Sequence, residues 1–179
     1  MTEENKRLRE SIRSVPDFPK PGIVFRDITT LLKDPEALRE AGARLLARYR
    51  HLRIDKVAGI ESRGFILGGI LAEKLGVGFV PIRKPGKLPA AVARKEYSLE
   101  YGTDALEIHR DAIRPGERVL LHDDLLATGG TAKAACSLIE ELGGVVVGVA
   151  FLIELQFLSG RDALRGYDVY SLVQYGVER

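Results

Sequence analysis

The stretch Val119 to Thr131 reads VLLHDDLLATGGT: an apolar run, two adjacent aspartates, then a small Gly/Thr turn. A strand that ends in carboxylates and turns through Ala127, Thr128, Gly129, Gly130 and Thr131 into a helix makes an anion site. The glycines let the backbone fold tightly, the helix N-terminus presents unpaired N–H groups, and the threonine hydroxyls add donors. Phosphate suits the turn, while Asp123 and Asp124 suit hydroxyls or a hard cation such as Mg²⁺. A ribose phosphate carries both parts. The turn lacks the lysine of GxxxxGK[ST], which argues against a P-loop nucleoside triphosphatase. It also lies well past the first strand, where the glycines of a Rossmann dinucleotide site belong.

The elements that must position these groups follow from the pattern of apolar residues. Residues 3 to 14 place Leu8 and Ile12 four apart among charges, so a short amphipathic helix is expected, stopping before Pro16. The loop Asp17-Phe18-Pro19-Lys20-Pro21-Gly22 is stiffened by its prolines and delivers Ile23 to Ile28, where Arg26 and Asp27 are expected to pair or to line a site. Asp34-Pro35 starts a helix as N-cap and N1 residue, with Leu38, Ala41, Leu45 and Leu46 on one face up to about Tyr49. Lys56 to Ile60 and Val77 to Ile82 read as buried strands around a helix from Phe65 to Leu75. This alternation predicts an α/β fold with a mostly parallel central sheet flanked by helices. Arg83 to Lys95 holds five cations and no acid and reads as a cationic lid loop. Tyr97 to Gly102 and Ala105 to His109 are expected to form a hairpin or flap. A helix from Thr131 to Leu142, strands over Val145 to Ile153 and Asp168 to Gln174, and a helical turn near Ser159 to Leu164 complete the chain.

Composition bounds the function. With 179 residues, 45% hydrophobic, 29% charged and a formal net charge of +2, the chain is expected to be one domain. Such a domain buries roughly 70% of the surface its unfolded form exposes. The charge balance gives no case for nucleic acid or an anionic membrane as partner. Cys136 is the only cysteine, so there is no intrachain disulfide and no thiolate metal cluster, which fits a reducing cytosol. The longest apolar run, Val145 to Ile153, is far short of a membrane span, and the N-terminus lacks a signal-peptide stretch. A soluble, cytoplasmic protein is expected.

Val119 to Thr131 resembles the phosphoribosyl pyrophosphate motif of the type I phosphoribosyltransferases, and the likeness extends from about residue 17 to 175. Pro21 to Thr29 resembles the purine-pocket segment of the members that act on adenine. Glu61-Ser62-Arg63-Gly64-Phe65 resembles their pyrophosphate loop, and Arg83 to Pro89 the start of their mobile lid. Tyr97 to Gly102 and Leu152-Ile153-Glu154-Leu155 also match, in the same order. The resemblance implies the type I fold as a single domain, 1–179, with a small N-terminal hood and purine-pocket segment over about 1–33 and a flexible lid over about 83–103. It implies that adenine and phosphoribosyl pyrophosphate give AMP and pyrophosphate with Mg²⁺, in a homodimer.

The same resemblance assigns roles that local chemistry supports. Ala127 to Thr131 would hold the 5′-phosphate, and Asp123 and Asp124 the ribose hydroxyls, with Mg²⁺ held mainly through pyrophosphate, hydroxyls and water rather than by direct protein ligands. Ser62, Arg63, Lys84 and Lys87 would bind pyrophosphate; the planar fork of Arg63 suits paired oxygens. Phe25 and Leu125 would sandwich the purine, with Val24 and Arg26 reading its edge through main-chain groups. Glu100 would move the imidazole proton of the base, and Tyr101 would orient the leaving group or the lid. His122 stands where the family carries an apolar residue. Strand alternation turns it away from Asp123, so a packed or hydrogen-bonded histidine is expected. The alternatives are transfer to hypoxanthine, guanine or xanthine, and a non-catalytic sensor of phosphoribosyl pyrophosphate that binds nucleic acid.

Overall fold

The protein is described by a computed structural model covering residues 3–98 and 102–176. Its centre is a five-stranded, wholly parallel sheet in the order β4-β3-β7-β8-β9. The strands are β3 (Lys56–Ile60), β4 (Gly78–Ile82), β7 (Arg118–Leu126), β8 (Val145–Leu155) and β9 (Val169–Tyr175). Central strands of such a sheet are covered on both faces, which is why Val145 to Leu155 reads as a continuous apolar run. Successive residues of β3 feed opposite cores. Val57 packs with α3 (Pro35–Tyr49) and α4 (Gly64–Leu75) on one face, and Ala58 packs with α5 (Gly130–Glu141) on the other.

Helix α3 starts as the sequence predicts: the Asp34 carboxylate accepts from the Glu36 N–H at 2.9 Å and the Ala37 N–H at 3.3 Å, with Pro35 next. Cys136 is fully buried on α5, where burial pushes its thiol up to about 12, an inert apolar residue as expected.

Two expectations are corrected, and one unforeseen turn is added. The N-terminal helix α1 (Glu3–Glu10) is shorter than read, and the chain then forms β1 (Arg13–Pro16), which pairs antiparallel with β2 (Val24–Asp27). The RSVP sequence of β1 has no alternation of its own; its ladder with β2 holds it. A single helical turn, α2 (Thr29–Leu32), follows β2 and buries Leu31. Finally, the cationic stretch is not loop throughout: β5 begins at Val92 and runs to Ser98, pairing with β6 (Thr103–His109). Ala93, Leu106 and Ile108 bury one side of this hairpin in the core shared with α5. Among the described residues, no helix is long and apolar enough to cross a membrane.

Candidate active site

The connection from β3 through α4 leads outward to β4, whereas β7 through α5 leads the opposite way to β8. The sheet therefore changes direction between the adjacent strands β3 and β7, and a crevice opens beyond their carboxyl ends. A cavity of about 400 Å³ lies there. Glu61, Ser62 and Arg63, leaving β3, form one wall; Asp123, Asp124 and Leu125, at the end of β7, form the floor. Ala127 to Gly129 and Thr131 close the far side. Two helix N-termini therefore meet one cavity, and neither α4 nor α5 is capped there by a side chain.

The turn into α5 is built around Gly129, whose φ is +85°. A Cβ there would lie 2.9 Å from the Ala163 Cβ and closer still to the Gly160 carbonyl oxygen. The 3₁₀ segment Gly160–Leu164, between β8 and β9, thus packs directly behind the turn. That segment is fixed in turn by Arg161, which donates to both oxygens of the buried Glu154 carboxylate at 2.7 Å.

The acid pair sits where α4 approaches β7 most closely. A Cβ at Gly64 would come within 2.9 Å of Asp123 Oδ1 and 3.1 Å of the His122 carbonyl oxygen, so only glycine lets the helix begin there. Asp123 Oδ1 accepts from the Asp124 N–H at 2.9 Å. Burial, then the neighbouring Asp124 charge, raise the Asp123 carboxyl well above the usual carboxylate range. Asp124 is paired with the Arg63 Nε. The Arg63 guanidinium also lies 5.6 Å from the centre of the Phe25 ring.

His122 is fully buried on the α4 side of the sheet, beside Gly68 and Phe79. Burial lowers it to about 4, against the opposing influence of Asp124 and the Ala150 backbone, so it is a neutral packed side chain, turned from the cavity as alternation requires.

The cations at the β3 end are engaged with protein acids. Lys84, which lines the cavity, pairs with Asp104 and donates to the Tyr97 hydroxyl at 2.9 Å. Lys87 Nζ lies 2.9 Å and Arg83 Nε 2.8 Å from the Glu61 carboxylate. Val24, Phe25 and Arg26 are not part of the cavity wall. Phe25 packs edge-on against Phe18 at 5.3 Å and adjoins the cavity through Arg63. The expected pairing of Arg26 with Asp27 does not occur: Asp27 pairs with Arg13 at 2.5 Å, and Arg26 stacks 4.0 Å from the centre of the Tyr175 ring. Neighbouring strand residues point to opposite faces, which separates the two. Glu100 and Tyr101 lie outside the described residues.

Sequence reasoning gave no individual role to Glu61, Asp104 or Gly160. The signal for Glu61 was its place directly after a buried strand, beside Arg63.

Comparison with known proteins fits this geometry. The phosphoribosyl transferase domain family matches residues 27–172. An adenine phosphoribosyltransferase of Christiangramia forsetii is 58% identical over 94% of this chain and 98% of its own. A crystal structure of adenine phosphoribosyltransferase from Thermoanaerobacter pseudethanolicus superposes with a TM-score of 0.93 at 52% identity, covering 96% of this chain and 99% of the other. The Saccharomyces cerevisiae enzyme, solved with adenine and an imino-altritol bisphosphate, gives 0.90 at 38% identity, covering 97% of this chain and all of the other. The frame that opens this crevice is thus one shared by descent: the chain belongs to the adenine phosphoribosyltransferases of the phosphoribosyl transferase family.

Proposed function

We infer that this chain carries out its family's reaction, transferring the phosphoribosyl group of phosphoribosyl pyrophosphate to N9 of adenine and releasing AMP and pyrophosphate. The observation that carries this reading is the pair of uncapped helix N-termini facing one cavity, with an acid pair between them. Two anionic ends held apart by a hydroxylated ring match that spacing of charge.

In the reaction C1′–O breaks, C1′–N9 forms, and the base loses its imidazole proton. The Ala127 to Thr131 turn holds the 5′-phosphate through backbone N–H groups and the Thr128 and Thr131 hydroxyls. Asp123 and Asp124 accept from the ribose hydroxyls and lie beneath the ring as positive charge develops on it. Arg63, Ser62, Lys84 and Lys87 take the leaving diphosphate, and Arg63 exchanges Asp124 for phosphate oxygens as it does so. Phe25 and Leu125 bound the purine, and main-chain groups of Val24 and Arg26 read its edge. Glu100 takes the proton, and Tyr101 orients the leaving group.

The donor set fits Mg²⁺ shared with substrate, since that ion is commonly held by one or two carboxylates plus phosphate oxygens and water. Asp123 and Asp124 are the groups that would hold it, through water and the ribose hydroxyls rather than as direct ligands, and when bound it would neutralise charge on the diphosphate. A cytoplasmic homodimer completes the proposal, tested by the mass in light scattering.

The deciding assay incubates the protein with Mg²⁺, phosphoribosyl pyrophosphate and each purine separately. Nucleotide should form from adenine; silence with adenine and turnover of guanine would replace this assignment with the other-purine reading.

A further inference from the structure

Glu61 is out of character for a cavity that takes a polyanion. It lines that cavity with a side chain only 5% exposed. Burial works to raise its carboxyl, but hydrogen bonds from Lys87, the Lys84 N–H and Arg83 outweigh burial and hold it below the usual range. Its Oε1 accepts from Lys87 Nζ and from the Lys84 N–H, both at 2.9 Å, and its Oε2 from Arg83 Nε at 2.8 Å. A carboxylate facing a diphosphate opposes binding unless its charge is balanced.

The three donors are not equivalent. The Lys84 N–H belongs to the backbone. Arg83 is fixed by a reciprocal main-chain pair with Glu107 at 2.9 and 2.7 Å and by its bond to the Lys87 carbonyl at 3.3 Å. The Lys87 side chain, a flexible stem carrying the ammonium, is 50% exposed. Because its cationic side is half in solvent, this ion pair is the weakest of the three holds, so Lys87 is the donor that can leave while the others still balance Glu61.

We propose that Glu61 is a positioning residue that parks Lys87 at the cavity, yields it to the diphosphate end of bound phosphoribosyl pyrophosphate, and takes it back as pyrophosphate leaves. The inference rests on the ribosyl-transfer reading of this site. Glu61 thereby limits affinity for both diphosphates and favours product release, and its acid side chain serves turnover rather than binding.

The test measures binding of phosphoribosyl pyrophosphate by calorimetry without base, in wild type, E61Q, K87A and the double variant. Glutamine keeps an acceptor for the Lys84 N–H and removes the charge. E61Q is expected to lower the Kd roughly two- to fivefold, the scale of one exposed ion pair, and to lower the inhibition constant of pyrophosphate by a similar factor. K87A alone should weaken binding, and in its background E61Q should no longer tighten it. A purely structural Glu61 gives the opposite sign, weaker binding in E61Q. That result, an unchanged Kd, or tightening that persists with K87A would overturn the proposal. If E61Q fails to fold, carboxyl NMR of the wild type decides: the Glu61 midpoint should rise when the diphosphate removes Lys87, and an unmoved midpoint overturns the exchange. Wild type that binds no phosphoribosyl pyrophosphate overturns the site reading as well, whereas normal wild-type turnover with an unaltered E61Q overturns this inference alone.

Discussion

Replacing Gly129 with alanine separates two contributions to the phosphate turn. The residue has φ +85°, and an added Cβ would overlap Gly160 and lie 2.9 Å from the Ala163 Cβ. Gly116 provides the control: its φ is +84°, yet a Cβ there meets nothing within 4 Å. G116A therefore carries only the cost of a left-handed alanine, about 1 kcal/mol. G129A adds overpacking against backbone that cannot rotate away, about 2 kcal/mol more. For a domain of this size each kcal/mol moves Tm by roughly 2–4 °C. Calorimetry should thus find G116A about 2–4 °C and G129A about 6–12 °C below wild type. Displacing the amides should also weaken phosphoribosyl pyrophosphate binding more than tenfold in G129A and leave it unchanged in G116A. If the two variants melt within 2 °C of each other and bind alike, the packing of Gly160 behind the turn does not shape the phosphate site.

Arg161→Met should destabilise the fold by about 2–3 kcal/mol, below the range for a fully buried pair because Arg161 is 44% exposed and Ser171 still donates to Glu154; an unchanged urea midpoint refutes it. Because the folded Glu154 carboxyl is held low by Arg161 and Ser171 against the opposing effect of burial, its stabilisation is present above the unfolded carboxylate pKa and is lost as pH falls through the folded value. The wild type should therefore lose more stability on acidification than Arg161→Met, and parallel acid-denaturation curves would contradict this. Asp27, hydrogen-bonded first by Arg13 and then by Thr29, is lowered to about 2, so its contribution persists down to about pH 4 and disappears toward pH 2. Carboxyl NMR reads that midpoint directly, and a value near 4 would remove the Arg13 latch. Glu100→Ala should lower kcat by about 10² or more, as loss of a general acid or base does; an unaltered rate retires its proton role.

What the sequence made legible is what local chemistry determines. The apolar runs of β3 and β8, the Asp34-Pro35 helix start and the strand-to-turn motif around Asp123 carry their own signals, and each lies within a residue or two of its expected place. Strand β1 carries no such signal, because its stability resides in the ladder to β2. Strand β5 was hidden for another reason: the small Ala93 is its buried residue, while Arg94, Lys95 and Glu96 face solvent, so charge masked the alternation. In the site, the acid pair and the turn were readable. The grip of Glu61 on Arg83 and Lys87 was not, because its partners lie 22 and 26 residues further on.

Gly160 touches no substrate in the proposed mechanism, yet a Cβ on it would overlap the Ala127 carbonyl oxygen and come within 2.9 Å of Leu126. The curvature of the phosphate turn is therefore moulded from behind by a connector some thirty residues downstream, and that mould is tied through Arg161 and Glu154 to β8. Anyone redesigning this site to accept a different sugar phosphate inherits a constraint that no inspection of ligand-contacting residues reveals: the turn and the connector behave as one part and must be varied together.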